Sequence, residues 1–273
     1  LPGGDVVRET EVAQGIAAIA ASGVYTATLV NAGIVATVDL AMGNGVRAVL
    51  EAHLRAGRNF RGVRYLGGQA EGIKWEDDSI LAALGVLDDM GLTFDCNGPE
   101  THPLDFEAVL GDTGLAMVAR KFPSLTIVLN HCGGAVGPRC FDIDPTKRAE
   151  WERCLARLAE CPNVVVKVGG LHMEVNGFAI GPPHAARPPT SAELAELTVG
   201  IYDYTIKTFG PQRCMFESNF PVDKWGTSYG VLWNAFKRVA ASLDLSSADK
   251  TALFGGTAAR VYRLKLDAFP TVP

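Results

Sequence analysis

The chain has 273 residues, a formal net charge of −5 and a hydrophobic share of 48%, enough apolar material for one large core and a single domain over 1–273. The acidic balance excludes a basic footprint for nucleic acid, and no apolar run approaches the roughly 18 residues that a membrane span requires. No charged leader with an apolar stretch opens the chain, and Cys96, Cys132, Cys140, Cys154, Cys161 and Cys214 lack CxxC spacing, so the expectation is a cytoplasmic protein with reduced thiols.

Read in order, with Gly and Pro as punctuation, the chain alternates strand and helix. A helix is predicted over Glu9–Ala21, then a buried strand over Ala32–Asp39 and a helix over Gly45–Ala56, where Val46, Val49, Leu50 and Leu54 fall at helical spacing. Phe60–Tyr65 reads as the next strand, and Asp77–Met90 as a helix whose opening Asp77, Asp78 and Ser79 suit a helix start. Gly91–Asn97 is strand-like and is followed by a helix within Asp105–Lys121. Leu125–His131, Val164–Gly170 and Arg213–Asn219 are the remaining strands. Helices are predicted over Pro145–Glu160, Thr190–Phe209, Tyr229–Ser242 and Ser246–Leu253, with a Pro-rich loop over Gly181–Pro189.

Alternation with short connections predicts parallel βαβ units, and the near-continuous apolar strands predict a sheet covered on both faces. Six such strands fit either an open doubly wound sheet or part of a closed barrel. In a barrel, chemistry gathers where strands end. Those positions hold Arg64, then Asp95, Asn97 and His102, then His131 with Gly133 and Gly134 behind it, then Lys167 and His172, and finally Glu217, Asn219 and Asp223. Period-two alternation places Leu125, Ile127, Leu129 and His131 on one face, and Met215, Glu217 and Asn219 on another. An inward Glu217 needs a partner to be tolerated, and Lys167, which interrupts an apolar strand, is the expected one.

Several stretches carry a resemblance. They are AGIVATVDL at 32–40, RGVRY at 61–65, LNHCGG at 129–134, PNVVVKVGGL at 162–171, RCMFESNFPVDK at 213–224 and GTAARVYRL at 256–264. With these, in this order, the chain resembles the amidohydrolase-related family, which contains sugar-lactone hydrolases, 2-pyrone-4,6-dicarboxylate lactonase and related decarboxylases. The resemblance implies a (β/α)8 TIM-barrel, and so decides for the barrel over the open sheet. It also implies a His-x-His pair ending the first strand, a His ending the sixth and an Asp ending the eighth. That Asp binds metal or activates water in many members. His131 matches the second of these, while Asn219, in Glu217-Ser218-Asn219-Phe220-Pro221, stands where the Asp belongs. No His-x-His occurs, since the histidines are His53, His102, His131, His172 and His184. Its expected place is upstream of Leu1, together with two barrel strands.

The resulting expectation is hydrolysis of a lactone or similar cyclic ester of a small carboxylated substrate. Arg64 would hold the substrate anion, with His102 and Lys167 also facing it. His131 and Asn219 would position water and carbonyl, and Asp223 would move the proton. No metal is expected on this chain, although zinc is implied for full-length relatives. A decarboxylase on the same scaffold, or a catalytically impaired barrel that binds small molecules, are the alternatives. Unpaired sheet edges would favour a homo-oligomer.

Overall fold

The computed structural model describes residues 4–24, 28–65, 74–99, 105–134, 136–173, 176, 178, 180 and 186–264. Six parallel strands form one sheet: β1 (Ile34–Thr37), β2 (Phe60–Arg64), β3 (Thr93–Cys96), β4 (Ile127–Leu129), β5 (Val164–Gly169) and β6 (Cys214–Glu217). Each pairs with the next in chain order. Sequential parallel pairing is what right-handed βαβ crossovers of one hand produce, and it is the order of a barrel wall. Among the described residues β1 and β6 each pair on one side, so these strands form an arc of that wall.

The helices expected from spacing form at the expected places. α1 spans Gly4–Ala21, α2 Val46–Ala56 and α3 Asp78–Asp89. The predicted helix within Asp105–Lys121 is instead two, α4 (Phe106–Leu110) and α5 (Leu115–Lys121). The break lies between Gly111, which caps the end of α4, and Gly114, which precedes α5 and where a Cβ would lie 2.4 Å from the Val109 carbonyl oxygen. α6 (Pro138–Ile143) precedes α7 (Thr146–Ala159), and α8 (Ser191–Phe209) opens with a capping box between Thr190 and Glu193. α9 (Tyr229–Ser242), α10 (Ser247–Thr251) and α11 (Thr257–Val261) complete the chain. None of the described helices is long and apolar enough to cross a membrane.

The two faces of the sheet have separate cores. Val63, Phe94, Ile127, Leu129, Val164, Val166 and Phe216 point outward into the main core beneath the helices. The inner face carries Val128, Val165 and Met215, and the C-terminal segment covers it with Val261 and Tyr262. Leu264 and Tyr262 press on Gly33 beside β1, and Arg263 Nη2 donates to the Arg61 carbonyl at 3.2 Å. The last helix therefore ties the inner face to β1 and β2. All six cysteines are buried.

Candidate active site

Register brings the polar strand-end residues together. Arg64 pairs with Asp95 across β2 and β3, and Gly169 with Glu217 across β5 and β6. Gly62 and Thr93, each two residues earlier, share the inner face closely enough that a Cβ on Gly62 would lie 1.9 Å from Thr93 Oγ1. Arg64 and Asp95 therefore face inward, as do Lys167 and Glu217 on their own strands.

His131 reaches the inner face by a turn. Strand alternation would leave it on the outer side with Ile127 and Leu129, but β4 ends at Leu129. Asn130 is extended, and His131 and Cys132 then both adopt left-handed φ of 54°. Such backbone costs about 1–3 kcal/mol per residue and persists only where the surroundings impose it. The imidazole consequently crosses to β6, where Nδ1 lies 2.6 Å from Glu217 Oε1, and the His131 backbone N–H donates to the same oxygen at 3.2 Å. Gly170, at φ 68°, lies against the ring; a Cβ there would be 1.9 Å from His131 Nδ1.

Burial alone would raise the Glu217 pKa, but the electrostatic pull of His131 and Lys167 and the hydrogen bonds from His131 outweigh it and bring the carboxyl to about 2. An ionised carboxylate only accepts hydrogen bonds, so Nδ1 is the protonated ring nitrogen and Nε2 is the basic one.

Lys167 does not take the expected partner. Its ammonium donates to Asp95 Oδ2 at 2.7 Å, and the same oxygen accepts from the Tyr262 hydroxyl at 2.8 Å. The ammonium also lies 5.7 Å from the centre of the Tyr262 ring. The inner position of β4 is the apolar Val128, so the long lysine side chain passes over it to the carboxylate two strands away. Burial lowers the Lys167 pKa, but Asp95 and Glu217 overcome it and the net direction is upward. Glu217 thus feels Lys167 as a nearby charge, while Asp95 holds the ion pair. Burial and the same Asp95 push the Tyr262 hydroxyl well above its ordinary range.

The other expected site residues are arranged differently. Arg64 Nε is buried without a hydrogen-bond partner among the described residues. Asn219, at left-handed φ of 51°, donates from Nδ2 to Asp223 Oδ1 at 2.7 Å. Asp223 is fully buried, and its Oδ2 lies 3.2 Å from Nδ1 of the buried His172. The ring is not aligned for a hydrogen bond to it among the described residues. His102 lies outside the described residues.

A family model described as Amidohydrolase matches residues 4–264. The chain belongs to the amidohydrolase family. L-fucono-1,5-lactonase of Burkholderia multivorans is 37% identical over 138 residues, which is 50% of this chain and 43% of that protein. An uncharacterized protein of Sinorhizobium fredii is 36% identical over 148 residues, and the match again covers only 42% of its length. The matches thus span less than half of either curated relative. Among solved structures, an amidohydrolase from Burkholderia multivorans with bound HEPES gives a TM-score of 0.65 at 28% identity, covering 85% of this chain and 74% of that one. A zinc-bound structure of a Burkholderia multivorans amidohydrolase gives 0.64 at 28% identity, covering 86% and 74%.

The described residues of this amidohydrolase do not fit a metal centre. Among them no three His, Cys, Asp or Glu side chains converge. Lys167 neutralises Asp95, and Asn219 offers a neutral amide, a weak ligand beside a carboxylate. Asp95 and Tyr262 are the two members of the inner network to which sequence reasoning assigned no role. Asp95 was visible as a strand-end carboxylate, but nothing local marks Tyr262, which is 167 residues away from it.

Proposed function

We propose that this chain hydrolyses a lactone, with His131 as general base and Glu217 as its orienting carboxylate. The observation that carries the reading is the 2.6 Å contact from His131 Nδ1 to Glu217 Oε1, which leaves Nε2 basic at the strand ends. A base held by a third group in one tautomer and one orientation is the arrangement that activates a nucleophile. The 37% identity to an L-fucono-1,5-lactonase supports the lactone class.

In this reading His131 Nε2 takes a proton from water as the oxygen attacks the lactone carbonyl. Glu217 stabilises the imidazolium that forms. The ring C–O bond then breaks, and the proton on Nε2 passes to the departing ring oxygen, giving a hydroxy acid. The Lys167 ammonium and the Arg64 guanidinium, whose Nε has no hydrogen-bond partner among the described residues, supply positive charge for the developing oxyanion and for a substrate carboxylate. The substrate is a small molecule.

Acid release in a pH-stat from L-fucono-1,5-lactone and other 1,5-lactones tests the reading. The expected result is turnover above the spontaneous rate that His131→Ala abolishes. Release no faster than the uncatalysed hydrolysis, or undiminished release by His131→Ala, would overturn it.

A further inference from the structure

Asn219 is partly exposed, and its amide has two different ends, a donating NH2 and an accepting carbonyl. The fully buried Asp223 decides which end faces outward. Its Oδ1 lies 2.7 Å from the Asn219 amide nitrogen, and its Oδ2 accepts from the His172 backbone N–H at 3.4 Å. The backbone closes the same turn, since Asp223 N–H donates to the Asn219 carbonyl at 3.1 Å. The amide therefore turns its NH2 toward Asp223. The side-chain oxygen is then the atom that Asn219 presents, two residues beyond Glu217.

We propose that Asp223, braced by His172, is a positioning residue that fixes Asn219 with its carbonyl oxygen toward the substrate, and that this oxygen accepts a hydrogen bond from a hydroxyl on the lactone ring. A neutral amide oxygen accepts a hydrogen bond without taking the proton. It therefore suits a group that keeps its proton throughout the reaction, as a ring hydroxyl does and the attacking water does not. This inference rests on the lactonase reading above, and it replaces a proton-transfer role for Asp223, whose carboxylate has no exposed surface.

The probes are D-glucono-1,5-lactone and δ-valerolactone, the same six-membered ring with and without hydroxyls. The wild type is expected to prefer the hydroxylated ring, and Asn219→Ala to lose about tenfold of that preference, the value of one hydrogen bond. Asp223→Ala is expected to lose a similar factor and to add nothing in an Asn219→Ala background, because it acts through Asn219. Equal losses on both lactones, or independent effects of the two substitutions, would overturn the proposal. The side-chain amide protons of Asn219, observed by 15N-edited NMR in the resting protein, give a readout independent of turnover and of Asp223→Ala folding. One proton should be shifted downfield and protected from exchange, and Asp223→Asn should move it upfield. Solvent-like signals in the wild type would overturn the orientation. If the wild type opens neither lactone, the proposed reaction falls, and the NMR result alone decides the orientation of the amide.

Discussion

Gly170→Ala tests the arrangement of the base most directly. Gly170 has φ 68°, a conformation that costs an L-residue about 1–2 kcal/mol. The added methyl would also lie 1.9 Å from His131 Nδ1 and 2.6 Å from Cε1. No rotamer change of alanine relieves this, so the imidazole or the backbone must shift by about 1 Å or more to restore van der Waals contact. Overpacking of this kind costs about 1–3 kcal/mol. The sum is about 2–5 kcal/mol, which for a chain of this size lowers Tm by roughly 4–10 °C. The imidazole cannot retreat without lengthening its 2.6 Å contact to Glu217, and a displacement of about 1 Å in a catalytic group costs on the order of 100-fold in rate. Gly91→Ala is the control, because Gly91 has φ 61° and an added methyl would meet nothing within 4 Å. It should lose only the backbone part, about 1–2 kcal/mol, and keep its activity. Calorimetry and a pH-stat assay on both variants measure the two quantities. A Gly170→Ala protein with the stability loss of the Gly91 control and wild-type turnover would refute the packing of His131 on Gly170.

Glu217→Gln should retain the fold but lose about 100-fold or more in kcat, since the amide no longer stabilises the imidazolium. Its stability should also respond differently to acid: Glu217 is held at about 2 against an ordinary 4.5. Its ionised form is therefore favoured by folding, and the stability it contributes, roughly 3 kcal/mol, is complete above pH 4.5 and disappears as pH falls toward 2. Chemical denaturation of wild type and variant across that window should show the difference between them shrinking; a constant difference would refute the charge assignment. Lys167→Met leaves Asp95 buried without its cation and should destabilise by about 3–5 kcal/mol, read by urea denaturation. An effect below about 1 kcal/mol would mean that Tyr262 alone suffices for Asp95. Tyr262→Phe removes one donor from that carboxylate and should cost about 1–3 kcal/mol, with a smaller effect on kcat than Glu217→Gln.

Much of the architecture follows from local chemistry. The strands are short because Gly and Pro punctuate them, and Asp77, Thr190 and Ser228 cap helices where spacing alone starts them. Alternation also assigned the inward set on β6 correctly, because Met215 and Glu217 lie on a regular strand whose side chains alternate. The position of His131 at a strand end was legible for the same reason. Its direction was not: two successive left-handed residues reverse the alternation, and nothing in LNHCGG announces that, apart from the glycines that make room behind it.

Pairings across the inner face lay beyond the sequence altogether. Lys167 has two carboxylates within electrostatic reach, and charge type alone cannot choose between Asp95 and Glu217. The choice depends on Val128 leaving a passage over β4, on Tyr262 arriving from the C-terminal helix, and on His131 having already occupied Glu217. The amino-acid order by itself determined the strand–helix rhythm, the strand-end residues and the family motifs, because these depend on neighbours along the chain. Tertiary structure decided which charges meet and which way Asn219 turns, because those contacts depend on how separate segments come together in space, and burial then sets the cost of leaving any of them unpaired.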